Sequence, residues 1–291
     1  MSIQAYLFCR GATKGDKIRN DATEFPQGVV CKEHVRYGDQ GKDHLLNVYF
    51  PEGTREKLPT IVSIHGGGYV YGNKEVYHFY CADLARRGFT VVNFNYRLAP
   101  KHKFPAPLED TNRVMRWLCV CARKYHMDPE NVIIVGDSAG AQLASHYAAI
   151  ATNPAFASLY GFTVPEIKIR ALGLNCGMYD LPARAGKRPS GLAADYLGRK
   201  FDTADPRIDV LSAITGDFPP SHLLTAQNDF LRDCAQPMAD LLTGRGVETV
   251  CTCYGTPEQK HIAHVFHVDI RNPEATDAND EQCAFFRAHL R

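Results

Sequence analysis

Short apolar runs rich in β-branched residues alternate along this chain with longer stretches of helical periodicity. The runs predict strands over 29–37, 44–50, 60–64, 90–96, 131–135, 169–176, 222–227 and 247–254. Several of them, such as TIVSI and NVIIV, are apolar throughout, the pattern of strands covered by helices on both faces. Helices are expected over 75–87, 108–126, 139–152, 234–244 and 276–289. The first two strands follow each other closely and predict a hairpin. From Thr60 onward the strand–helix–strand rhythm predicts right-handed crossovers and a mostly parallel sheet. The rhythm stops between Cys176 and His222, in a stretch of Pro, Gly and charged residues with weak helical periodicity. A segment of that length without regular structure is commonly functional, often a cover over a site. The first 28 residues also read as irregular.

Composition narrows the function classes. The 291 residues are 45% hydrophobic, enough to bury a sizeable core and to exclude disorder as a description of the whole. Charges nearly cancel, 33 Lys+Arg against 32 Asp+Glu, so the chain carries no electrostatic footprint for nucleic acid or an anionic membrane. No apolar run approaches the roughly 18 residues of a membrane span, and the N-terminal sequence has no signal-peptide core. The ten cysteines scatter without a C-x-x-C pair. Free thiols in a reducing cytoplasm are the expectation, with no metal site.

Two motifs carry chemistry. Gly136-Asp137-Ser138-Ala139-Gly140 sits between a strand pattern and a helix pattern, the setting of a nucleophile elbow. Such a turn lifts the Ser138 hydroxyl out of the backbone and demands small neighbours two residues away. The Ala139 amide opens the following helix and points where negative charge would develop. His65-Gly66-Gly67-Gly68-Tyr69 follows the buried strand TIVSI. Three consecutive glycines let backbone N–H groups approach a substrate oxygen. A phosphate loop is excluded, because no Lys-Ser/Thr follows and no G-x-G-x-x-G occurs. His65 is expected to pack beneath its loop and hold the backbone rather than act as a base.

An acid and a base should follow the serine in chain order. Asp229 ends the strand-like HLLTAQN and is favoured as the acid over Asp233, which would begin the next helix. His261, His264 and His267 recur every three residues, and spacing alone does not choose the base among them.

These residues, together with Tyr96-Arg-Leu-Ala-Pro100, Pro105-Ala-Pro107, Asp110, Asp229-Phe-Leu-Arg-Asp233 and His264-Val-Phe266, make the chain resemble the hormone-sensitive-lipase-like branch of the α/β-hydrolase family, bacterial carboxylesterases and acetyl esterases included. The resemblance implies an α/β-hydrolase fold: an eight-stranded, mostly parallel sheet with helices on both faces, in a single catalytic domain over 1–291. A reduced cap is implied, drawn from about 1–28 and 177–221. The family's base precedes Phe by two residues, which selects His264. Its acid is the first Asp of D-x-L-R-D, which again gives Asp229. Gly67, Gly68 and Ala139 are then the oxyanion-hole residues, and Tyr69, Tyr71 and Phe266 the expected substrate contacts.

The implied activity is hydrolysis of short-chain esters, acetyl to butyryl, through an acyl-enzyme, with no cofactor. The implied partner is a small-molecule ester, with neither nucleic acid nor membrane, and a homodimer is one arrangement common in the family. The alternatives are an arylformamidase-type amidase with the same triad and a non-catalytic ligand-binding relative. Departures from the family pattern include Ala141 for glycine after GDSAG, Phe230 for proline, and Val265 for the glycine of H-G-F.

Overall fold

The computed structural model describes residues 1–181 and 188–291. The expected cover segment, 177–221, therefore includes six positions outside the described residues. Eight strands form one sheet: β1 (Val29–Arg36), β2 (Leu45–Pro51), β3 (Leu58–Ile64), β4 (Thr90–Phe94), β5 (Met127–Asp137), β6 (Ile169–Asn175), β7 (Ser221–Ala226) and β8 (Thr249–Tyr254). Their spatial order is β1-β2-β4-β3-β5-β6-β7-β8. β2 runs antiparallel to both β1 and β4, and every other pairing is parallel. The expected pairing of the first two strands and the mostly parallel sheet are both present. All eight strand expectations hold, with β5 extended to an 11-residue strand that reaches into the Gly136-Asp137 turn.

The helices are α1 (Ile3–Asp21), α2 (His78–Arg86), α3 (Ala106–Cys121), α4 (Ala139–Thr152), the single turn α5 (Pro154–Ala157), α6 (Gly191–Leu197), the single turn α7 (Val210–Ala213), α8 (Ala235–Gly244) and α9 (Pro273–Ala288). α2 and α9 cover one face, where Tyr80, Cys81, Leu84, Cys283 and Phe286 pack on Ile61, Val91 and Ile133. α3, α4 and α8 cover the other, placing Leu108, Leu118, Leu143, Met238 and Leu242 against Val62, Val92 and Ile134. Burial of the strands from both sides accounts for their unbroken apolar runs. No helix among the described residues is long and apolar enough to cross a membrane.

One expectation fails. The N-terminal stretch is not irregular but a 19-residue helix, started by the Ser2 hydroxyl, which accepts the Ala5 N–H. Its only buried residue is Ala5, and it contains Gly11 and Gly15, so no apolar stripe announces it. Ile3, Tyr6, Leu7 and Ile18 point outward and are exposed. Ser2 also ties α1 to α6, its hydroxyl donating to the Asp195 carboxylate at 2.6 Å.

Candidate active site

Parallel strands deliver their carboxyl ends to one edge of the sheet, and the candidate residues gather there. Ser138 stands between β5 and α4 with φ 56° and ψ −116°, a left-handed backbone that a serine adopts only under constraint. The turn has no room for side chains on either flank. A Cβ on Gly136 would lie 2.2 Å from the Gly140 carbonyl oxygen, and one on Gly140 would lie 2.0 Å from that of Ile64. The Ser138 N–H donates to the Asn175 carbonyl at 2.8 Å, fixing the elbow to the end of β6.

Asp229 follows β7 and is buried. Its Oδ1 accepts from His264 Nδ1 at 2.7 Å and from the Leu231 N–H at 2.8 Å, while Oδ2 accepts from the Thr225 hydroxyl at 3.0 Å. Burial opposes its charge, but the hydrogen bond and charge of His264, with the Leu231 amide, outweigh that and hold the carboxyl below its ordinary value. Because Nδ1 faces Asp229, the Nε2 of His264 is left for the cavity. The Phe230 ring, in place of the family's proline, lies against the His264 ring at 4.2 Å. Asp233, by contrast, is exposed and pairs with Arg232.

The three histidines separate cleanly. His261 is exposed on the surface near Glu274. His264 is part of the Asp229 pair, and His267 is fully buried against Asp137 at 2.7 Å. His65 is buried beneath its loop, as expected. Its Nδ1–H donates to the Gly66 carbonyl at 2.7 Å and its ring stacks on Tyr96 at 4.1 Å. Burial pulls its pKa down to about 4, which keeps the ring neutral.

Ser138, His264, Gly67, Gly68, Ala139, Tyr69, Tyr71 and Phe266 all line one cavity of about 490 Å³, which is mostly apolar. Gly67, at φ 112°, turns so tightly that a Cβ would meet the Tyr71 carbonyl oxygen at 2.1 Å. The Tyr77 hydroxyl accepts the Gly66 N–H at 3.1 Å and steadies the glycine loop. Tyr69 stacks on Tyr196 at 3.9 Å and its hydroxyl donates to Gln142. Val70, between Tyr69 and Tyr71, turns into the core.

α1 supplies a wall that sequence reasoning missed: Phe8, Ala12, Gly15, Asp16 and Arg19. The signals of a helix there were the Ser2 cap and two charge pairs at helical spacing, Arg19–Asp16 at 2.8 Å (i,i+3) and Lys17–Asp21 at 2.6 Å (i,i+4). Met178, Leu192 and Phe230 complete the apolar lining. Among the described residues two groupings bring potential metal-ligand atoms within 4.8 Å of one another: Cys31, Glu33 and His78, and Cys176 with Asp229 and His264. In the second, His264 and Asp229 already engage each other, and the Cys176 sulfur accepts the Val265 N–H at 3.3 Å.

A hydroxyl on a strained elbow, an imidazole oriented by a carboxylate and a glycine loop share one mostly apolar cavity, the parts that nucleophilic attack on a carbonyl would need. Comparison with known proteins agrees with this geometry. A sequence profile described as alpha/beta hydrolase fold matches residues 61–267, and the chain belongs to that family. It is 29% identical over 244 residues to the versiconal hemiacetal acetate esterase of Dothistroma septosporum, covering 77% of this chain and 73% of that one. Identity to the carboxylesterase NlhH of Mycobacterium tuberculosis is 28%, over 69% of this chain and 66% of the relative. The chain thus spans about two thirds of the length of several curated relatives that it matches. Among solved structures, esterase B of Lactobacillus rhamnosis inhibited by a C4-C4 SN3 tributyrin phosphonate superposes with a TM-score of 0.87 at 27% identity, covering 98% of this chain and 93% of that one.

Proposed function

We propose that this chain is a serine carboxylesterase acting on short-chain esters, acetyl to butyryl, through an acyl-enzyme. The observation that carries the reading is the convergence of Ser138, the Asp229–His264 pair and the glycine loop on a single cavity. Asp229 holds His264 with Nδ1–H toward the carboxylate, so Nε2 accepts the Ser138 proton as Oγ attacks the ester carbonyl. The tetrahedral oxyanion is received by the amides of Gly67, Gly68 and Ala139. Each such donor is worth about 2.7–4 kcal/mol of transition-state stabilisation. The alcohol leaves with the proton from His264, and water repeats the sequence to release the acid. No step requires a metal or organic cofactor.

Small acyl groups suit a cavity bounded by Tyr69, Tyr71 and Phe266. The acetate in one relative's name and the butyryl-type inhibitor in one neighbour's structure support the same range. All ten cysteines are free, which supports a reducing, cytoplasmic setting.

Ser138→Ala is expected to lower turnover of p-nitrophenyl acetate by at least about a thousandfold while leaving the circular dichroism spectrum unchanged. Near-normal turnover in that variant would sink the assignment. In an acyl-chain series the wild-type protein should peak between two and four carbons. A peak at eight or more carbons overturns the short-chain reading, and faster hydrolysis of formylkynurenine than of any ester would favour a formamidase.

A further inference from the structure

A second histidine–aspartate pair lies directly behind the first. Asp137 immediately precedes Ser138, and His267 follows His264 by three residues. His267 Nε2–H donates to Asp137 Oδ1 at 2.7 Å, and both side chains are almost wholly buried. Nδ1 of His267 is buried with no hydrogen-bond partner among the described residues. A bare lone pair tolerates that position far better than an unpaired N–H, which places the donating N–H on Nε2, toward Asp137.

The same Asp137 oxygen also accepts from the Asn175 side-chain amide at 2.9 Å. Asn175 in turn receives the Ser138 N–H on its main-chain carbonyl at 2.8 Å, and Gln282 of α9 on its side-chain oxygen at 2.8 Å. On the other side, the His267 carbonyl accepts from Asn279 of α9 at 3.0 Å. The turn between the two histidines is short and closed by the Val268 N–H on the Val265 carbonyl at 3.2 Å. A chain of contacts therefore runs from the Ser138 backbone through the buried Asp137 and His267, and by one short turn of chain, to His264.

We propose that Asp137 and His267 are positioning residues, which lock the nucleophile elbow to the loop carrying the base and so set the approach of Ser138 Oγ to His264 Nε2. The inference rests on the reading of Ser138 and His264 as nucleophile and base. Two segments 130 residues apart in the chain must meet within a fraction of an ångström for proton transfer. Without the donor at His267, Asp137 would keep a buried negative charge with one anchor fewer, and the elbow would relax toward other donors.

The test compares His267→Gln, whose amide reaches where Nε2 stood, with His267→Phe, which fills the same space against Tyr80 without a donor. A third variant, His267→Asn, has an amide too short to reach Asp137. Folding is monitored by circular dichroism and the thermal midpoint. Activity per folded protein is read as kcat and KM on p-nitrophenyl acetate, and as the rate of irreversible modification by a p-nitrophenyl phosphonate.

The expected result is a kcat and phosphonylation rate at least tenfold lower in His267→Phe and His267→Asn, with KM within about twofold of wild type. His267→Gln should recover most of the loss. The acid limb of the pH–rate profile should stay in place, because Asp229 and His264 are untouched. Should His267→Phe fail to fold, the Asn and Gln variants make the same comparison. Equal rates in Asn, Gln and wild type, or equal losses in Gln and Asn, would overturn the positioning role. Failure of the phosphonate to modify Ser138 in the wild-type protein would instead overturn the reading beneath it.

Discussion

Among the described residues, four of the six non-glycine positions with left-handed backbones border the candidate site: Tyr69, Ser138, Cys176 and Val265. For a β-branched residue this conformation is especially unfavourable, and Val265 adopts it at φ 55°, where the family commonly carries glycine. Each such residue costs on the order of 1–3 kcal/mol, so strain is concentrated next to the reacting groups. Burial of neutral histidines adds a second local cost, one that depends on pH. His65 and His146 are fully buried, and burial lowers their pKa values to about 4 and about 3. Unfolding frees both rings to take up protons near pH 6.5. The unfolded chain therefore binds more protons than the native one below that pH, and stability falls as pH drops from 6.5 toward 4. The thermal midpoint measured between pH 7.5 and 4.5 should decline over that window, and less steeply in His146→Gln. A midpoint independent of pH there would contradict the neutral buried state. At this scale the sequence was legible for Ser138 and Asp229, because chain order and strand ends define them. It was silent on which histidine would pair with Asp229, since the three share a spacing and differ only in what the folded chain brings to them. The resemblance to a family separated them.

Elements were readable wherever burial imposes a period. The sheet strands, apolar from end to end, and the amphipathic α3, α8 and α9 follow from that rule. α1 escapes it because only Ala5 is buried, its inner face mixes Phe8, Cys9 and Ala12 with Gly15, Asp16 and Arg19, and its outer side also carries apolar residues, Ile3, Tyr6, Leu7 and Ile18. What the sequence offered as an irregular arm is thus a wall of the cavity. Gly15 leaves open space, since a Cβ there meets nothing within 4 Å. Gly15→Leu, whose Cβ meets no neighbour, should therefore narrow the cavity, and should favour the helix by roughly 1 kcal/mol over glycine. Turnover of benzyl butyrate is expected to fall several-fold relative to ethyl acetate in this variant. An unchanged ratio would show that α1 does not bound the substrate in solution.

At the scale of the whole molecule, the fold brings three chain regions, near residues 65, 138 and 264, to one edge of a sheet whose helices pack on both faces. Those regions share deep anchors: the Asp137–Asn175–His267 cluster, the Tyr96 hydroxyl donating to the His65 carbonyl at 3.0 Å, and the Asp229–Thr225 bond. The fourth side of the cavity does not share them. α1 is held mainly by polar contacts, among them Ser2–Asp195, Tyr71–Asp16, Arg19–Val76 and Asn20–Glu75, with only Ala5 buried and Phe8 and Cys9 partly so. Local stability follows buried contact, so α1 belongs to the first cooperative unit to open. Hydrogen exchange should release the amides of α1 well before those of β3 and β5, and simultaneous release would refute this ordering. Discrimination and reactivity then have separate melting points. If the proposed esterase function holds, the protein warmed into the interval between them would keep hydrolysing small esters while losing its preference among larger ones, a blunt catalyst made from a selective one without any change at Ser138.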